Sequence, residues 1–415
     1  MKREVALGLL ISAVISFPLL TSSCSGGGGG ENEIKITSDA DWIGYQADSG
    51  EWKTLSPSIS SSEETDGIKT YKFKANNKYG VAFYCSEDRE GNIFYFTKSE
   101  LDNFTFYCNE HFNRYTVSGT HENMETGDYF AISNVDSKAS LGLLSVSEIP
   151  DTTTFTISEV PEGKWDLVSV EYSANGDTVS PYKVVIKRGI EVDNNITGLT
   201  VDFLTGSSFS PHTFDVLNGE GMAWFVSENN TITLTGIKND EINKWFQINN
   251  ITNANDSYLF VGANEDSKIH VESHSATENG LGDITINLDN ISDLTTGSFD
   301  SGTKTFSGLD YTPSSTSPNL VGYSISLENT NLNWDIAISK NWLGGNTSYT
   351  LPDFPSVDGF PSGAWFNDFT TIHISLSAVM SNVDVKNLVQ TNPKLDFDYP
   401  VLKEGTFEIA SQEVQ

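Results

Sequence analysis

A period of two runs through almost every apolar stretch of this chain, and it rules out most folds. In residues 70–75 the side chains of Tyr71, Phe73 and Ala75 fall on one face, and in 79–85 Val81, Phe83 and Cys85 do the same. Residues 103–108 repeat the pattern with Phe104, Phe106 and Cys108. Successive side chains of a strand point to opposite faces, so such alternation marks half-buried β-strands. The runs are rich in β-branched and aromatic residues, and clusters of Asp, Ser and Gly break them. Helical spacing is confined to two short stretches, 240–245 and 382–390. The expected fold class is all-β, built as tandem β-sandwich-like domains.

Strand spacing divides the 415 residues into four β units: 33–112, 113–195, 196–302 and 303–415. The second contains Phe155, Ile157, Val160, Pro161, Gly163, Trp165, Asp166 and Leu167, in the order F-x-I-x-x-V-P-x-G-x-W-D-L. This run resembles the small transthyretin-like and carboxypeptidase-regulatory-like β-sandwiches, in which a Pro-Gly turn precedes an aromatic-bearing strand. The resemblance covers this unit alone. Those domains are scaffolds, so it implies no active site.

The first 23 residues read as an export signal. Lys2 and Arg3 form a basic head, and residues 5–20 are an apolar run shorter than the roughly 20 residues of a membrane helix. Thr21, Ser22 and Ser23 precede Cys24. This order resembles a bacterial lipoprotein signal, although Leu20 lies one place further out than the family pattern and Thr21 takes its position. The resemblance implies cleavage before Cys24 and lipid on Cys24; an ordinary secretory signal is the alternative. Ser25 in place of Asp favours the outer membrane in such lipoproteins. Residues 24–32, with glycine at 26–30, would form a flexible tether. The whole chain resembles the uncharacterised multi-domain β lipoproteins of Gram-negative bacteria.

With Cys24 lipidated, Cys85 and Cys108 remain as an even pair, and an exported chain meets an oxidising compartment. A disulfide between them is expected, worth about 3 kcal/mol in the chain-entropy view. The spacing Cys108-x-x-His111 leaves a metal half-site as the rival.

The formal charge of −32 becomes −33 when Lys2, Arg3 and Glu4 leave with the signal, a net loss of +1. Such a chain repels nucleic acid, which is excluded as a partner. The expected partners are the membrane, through the N-terminal lipid, and a glycan or surface protein.

No G-x-S-x-G, H-E-x-x-H or phosphate-binding glycine loop occurs. Glu110–His111 and His121–Glu122 lack the second half of any zinc signature. No catalytic residue is nominated. One constellation suits a metal: in the alternating run 268–274, His270, Glu272 and His274 share a face. Alternate residues lie roughly 7 Å apart along a strand, which is long for sharing one ion, and a solvated polar face is the plain alternative. No cofactor is required. Calcium is a candidate at the Asp/Asn clusters 193–195, 253–256, 264–266 and 300–302, which equally suit turns. Trp342 and Trp365 sit in loop-like settings suited to stacking on sugar, whereas Trp165, Trp224 and Trp334 lie in strand patterns. The expected function is that of a lipid-anchored, non-enzymatic surface protein for binding or structure. The alternative is a secreted hydrolase of extracellular glycans, whose paired carboxylates leave no short motif.

Overall fold

The computed structural model describes residues 32–58, 67–109, 112–124, 129–133, 152–175, 178–227, 230–233, 244–264, 268–278, 280–385 and 405–415. The fold is all-β with several sheets. The first strand, Glu33–Ser38, starts where apolar alternation begins. Among the described residues, helix is limited to short turns such as Lys340–Leu343, where the Ser339 hydroxyl accepts from the Trp342 N–H and Gly344 closes the turn at φ 60°. Of the first stretch with helical spacing, residues 240–243 lie outside the described residues, while 244 and 245 open the strand Lys244–Ile248, whose Trp245 is fully buried. Tertiary burial overrides a weak local preference here. Of the other, Val385 is helical and residues 386–390 lie outside the described residues.

The dominant element is a twelve-stranded sheet. Its order is Asn230–Thr233, Glu220–Ser227, Ser257–Ala263, Lys268–Ser275, Gly405–Glu413, His373–Ser381, Leu320–Asn329, Leu332–Ser339, Glu90–Thr97, Lys78–Cys85, Trp42–Ala47 and Lys53–Thr54. Every neighbouring pair is antiparallel except Leu332–Ser339 against Glu90–Thr97, which is parallel. Strand pairing therefore crosses the boundaries read from the sequence at 112, 195 and 302. Residues 33–112, 196–302 and 303–415 all contribute to one sheet.

The two faces of this sheet differ. One carries a continuous apolar core that includes Tyr323, Ile325, Trp334, Ile336, Ile374 and Leu376. Trp334 is fully buried, donates its indole N–H to the Ala364 carbonyl at 2.8 Å, and packs edge-on against Trp365 at 4.8 Å. Its cross-strand partner is Gly91, where a Cβ would lie 2.1 Å from the indole ring. Only glycine leaves room for that ring.

On the other face the apolar surface is split. One cluster, with Phe83, Phe94 and Phe96, packs against the small sheet formed by Lys69–Lys74, Glu33–Ser38 and Asn103–Phe106. The second cluster comprises residues such as Leu259, Ile269, Val271, Phe407 and Ile409. Between them runs a polar band containing Ser324, Ser377 and Ser411. The Ser377 and Ser411 hydroxyls are 2.7 Å apart.

The stretch 114–202 forms two facing sheets. Thr152–Pro161, Arg114–Glu122 and Ile196–Asp202 make one. Gly163–Asn175 and Thr178–Val192 belong to the other, a six-stranded sheet. Val117, Phe155, Val201 and Phe203 meet Trp165, Leu167, Val185 and Val192 between them. A disulfide joins Cys85 and Cys108, with Cα atoms 5.4 Å apart and a separation of 23 positions in sequence. Cys85 closes the strand Lys78–Cys85, and Cys108 follows Asn103–Phe106, so the bond ties the small sheet to the large one.

Candidate functional site

The strand Lys268–Ser275 alternates between buried and half-buried residues, and His270, Glu272 and His274 share its half-buried face. Pairing brings in a residue from far away. Gly405–Glu413 lies beside this strand with Glu408 opposite His270, 138 residues distant in sequence. His270 Nδ1 lies 3.0 Å from Glu408 Oε1, and Nε2 lies 3.5 Å from Glu272 Oε2. The second oxygen of Glu272 is 3.6 Å from His274 Nε2, and His274 Nδ1 is 3.9 Å from Glu278. The result is a line of alternating carboxylates and imidazoles: Glu408, His270, Glu272, His274, Glu278. Next to it, Lys268 Nζ lies 2.6 Å from Asp293.

Burial by itself would drive the His270 proton off. The hydrogen bonds and charges of Glu272 and Glu408 overcome it and raise the imidazole to about 9. Glu272 is likewise opposed by burial, yet His270 and His274 hold it down at about 2. An imidazolium locked between two carboxylates is a structural cation rather than a base poised near neutrality. The three residues expected to bind metal thus lie on one face, where Glu272 stands between the two imidazoles and Glu408 takes the far side of His270. Among the described residues, no three His, Cys, Asp or Glu side chains converge to hold a metal ion.

A second polar site lies on the opposite face. Asp335 stands across from Asn92 and Ser326 on the neighbouring strands. Asn333 donates its amide to Asp335 Oδ2 at 3.1 Å, while the buried Oδ1 has no hydrogen-bond partner. Burial raises this carboxyl to about 7, with Glu90 and Glu328 adding to the rise against the lowering contacts of Ser326 and Asn333. Nothing in the sequence sets Asp335 apart from the many other carboxylates.

A third cluster ties sheets together. The Arg188 guanidinium reaches Asp166 at 2.7 Å and Asp256 at 2.8 Å, and Asp166 also accepts the Gly189 N–H at 2.9 Å. Asp256 precedes a strand of the twelve-stranded sheet, so the arginine clamps the six-stranded sheet to it.

The remaining sequence candidates resolve into packing and turns. Asp300 Oδ1 accepts the N–H groups of Gly302 and Thr303, Asn253 accepts that of Asn255, and Asn264 that of Lys268. Asp193 accepts the Asn194 side-chain amide at 2.5 Å. Residues 265 and 266 lie outside the described residues, as do Cys24, Glu110 and His111. His121 is buried between the rings of Phe155 and Phe203, and burial lowers it to about 4. Trp165 and Trp334 are core residues as expected, and Trp224 is half-buried. Trp365 is not a surface platform, because Phe354, Phe366 and Phe369 surround it in the core. Trp342 is half-buried with its ring against Tyr95 at 4.4 Å.

No family model matches this chain, and no curated protein matches it. Among solved structures, a Streptococcal ancillary pilin is similar at 8% identity, covering 62% of this chain and 99% of that one, with a TM-score of 0.13. At that score the likeness carries no argument about fold or function. No helix among the described residues is long and apolar enough to cross a membrane.

Proposed function

We propose that this chain is a lipid-anchored extracytoplasmic protein of the outer membrane, with a binding or structural role rather than a catalytic one. The observation that carries the reading is the Cys85–Cys108 disulfide, a bond that belongs to exported proteins far more often than to cytosolic ones. It agrees with the signal-like residues 1–23, with Cys24 at the expected cleavage point, and with the glycines that follow. The non-catalytic part is supported by the polar clusters themselves. His270 is held as a cation by two carboxylates, and Arg188 bridges two sheets. Both arrangements serve cohesion.

Mass spectrometry of the mature N-terminus tests the anchor. An acylated Cys24 as the first residue is expected. An unmodified residue at any other position would reject the reading.

A further inference from the structure

We infer that the polar patch around Asp335 is a calcium-binding site. Three neighbouring strands build it. On the central one, Leu332–Ser339, alternation puts Asn333 and Asp335 on the same face. Asn92 and Ser326 stand opposite Asp335, and Glu90 and Glu328 stand opposite Asn333. Cross-strand partners hold their Cβ atoms about 5 Å apart. The register thus gathers six oxygen-bearing side chains on one patch of the sheet, three of them carboxylates.

Asp335 itself points to a ligand. It is only 5% exposed, and its buried Oδ1 has no hydrogen-bond partner. Oδ2 accepts from Asn333, whose own Oδ1 accepts from the Ser326 hydroxyl at 3.5 Å. A carboxylate oxygen taken out of water without a donor loses its hydration and gains nothing in exchange. Other buried carboxylates of this chain have a cation beside them. Asp166 and Asp256 share Arg188, and Glu408 has His270. The groups that act on Asp335 are instead an amide, a hydroxyl and the carboxylates Glu90 and Glu328. A bound cation supplies the missing charge.

The donors select the ion. Carboxylate, amide and hydroxyl oxygens are hard ligands, and with no imidazole or thiolate among them the patch does not suit zinc or copper. An irregular set of mixed oxygens completed by water fits calcium better than the strict octahedron of magnesium. Asp335 is the deep anchor, while Glu90 and Glu328 are exposed at the rim, from which long side chains turn inward onto an ion. One deep carboxylate with neutral oxygens makes the first contacts, so three acidic side chains need not converge beforehand. Such a site belongs with the weaker calcium modules, at roughly 10⁻⁴–10⁻³ M. An ion there would reinforce the parallel seam where residues 90–97 meet 332–339.

The test uses the full mature chain with Cys24→Ser, stripped with a chelator and titrated with calcium chloride in physiological salt. A chain of net charge −32 gathers divalent ions loosely over its surface, so Asp335→Asn rather than binding alone decides. Calcium is expected to raise the Tm of the parent chain and to leave that of Asp335→Asn unchanged. Calorimetry should show calcium affinity at least tenfold weaker in the variant, and magnesium at least tenfold weaker than calcium on the parent. Equal calcium responses of parent and variant, or no response from either, would overturn the inference. Should Asp335→Asn fail to fold, the exposed rim pair Glu90→Gln and Glu328→Gln decides. Calcium binding weakened several-fold in that double variant supports the site, and unchanged binding overturns it.

Discussion

Glu272 and Asp335 are both carboxylates of the twelve-stranded sheet, but they lie on opposite faces and ionise in opposite directions. Glu272 has imidazoles on either side and is held down at about 2. Asp335 has an amide, a hydroxyl and two further carboxylates nearby, and burial takes it up to about 7. Burial opposes the charge at both sites. What differs is whether a cation stands beside the carboxylate: Glu272 has His270 and His274 two places away on its own strand. Alternation along one strand sets Glu272 beside His270, strand pairing adds Glu408 to it, and pairing gives Asp335 only Asn92 and Ser326. A buried charge is therefore tolerable or costly according to the counter-charges that share its face of the sheet.

The strongest way to break this comparison is His270→Ala. It removes the shared cation, leaving Glu408 uncompensated and Glu272 with His274 alone, which should cost about 3–5 kcal/mol, as expected when one member of a buried pair is deleted. Urea unfolding at pH 7 measures it, and a loss below about 1 kcal/mol would show that the cluster is effectively solvated. The wild type should carry a matching pH signature. Because the His270 value is raised from 6.5 to about 9, its contribution is full below pH 6.5 and is lost as pH rises through 9. Glu272 works at the other end, with a contribution present above pH 4.5 and lost as pH falls toward 2.

Asp335→Asn should act in the opposite sense. A raised carboxyl destabilises progressively as pH climbs from 3.8 to about 7, and fully above that. The amide avoids this penalty, so the variant should gain on the order of 2–4 kcal/mol at pH 8 and nothing below pH 4. Thermal unfolding at the two pH values, with a chelator present, is the measurement. Equal stability of variant and wild type at pH 8 would mean that another group already compensates Asp335.

The smallest expected effect is that of Glu408→Gln. The amide oxygen can still accept from His270, so stability at pH 7 should change by about 1 kcal/mol. The sharper readout is NMR titration of His270, whose midpoint should fall from about 9 because one of its two charge partners is gone. An unmoved midpoint would assign the whole rise to Glu272.

Part of this was legible in the chain. Alternation places His270, Glu272 and His274 on one face, and the structure keeps them there. It also directs Cys85 inward, and that residue is bonded to Cys108. The run around Trp165 marks a stretch that does build two facing sheets, although the six-stranded one continues into Ser207–Leu217 and Lys244–Ile248. Glu408 and Asp335 were not legible, because their character comes from strands far along the chain. Trp365 misled because glycine and proline nearby read as an exposed loop, whereas the loop folds back over Trp334.

The sequence by itself determined that the chain forms strands and which side chains share a face. Both follow from a local, two-residue period that backbone geometry imposes. Only the tertiary structure decided which strands are neighbours. Main-chain hydrogen bonds are the same for every residue type, so a strand cannot select its partner by them. The choice falls to side chains meeting across the ladder: Gly91 beneath Trp334, Glu408 beside His270, Ser377 facing Ser411. Those meetings span tens to hundreds of residues, and no local pattern encodes them.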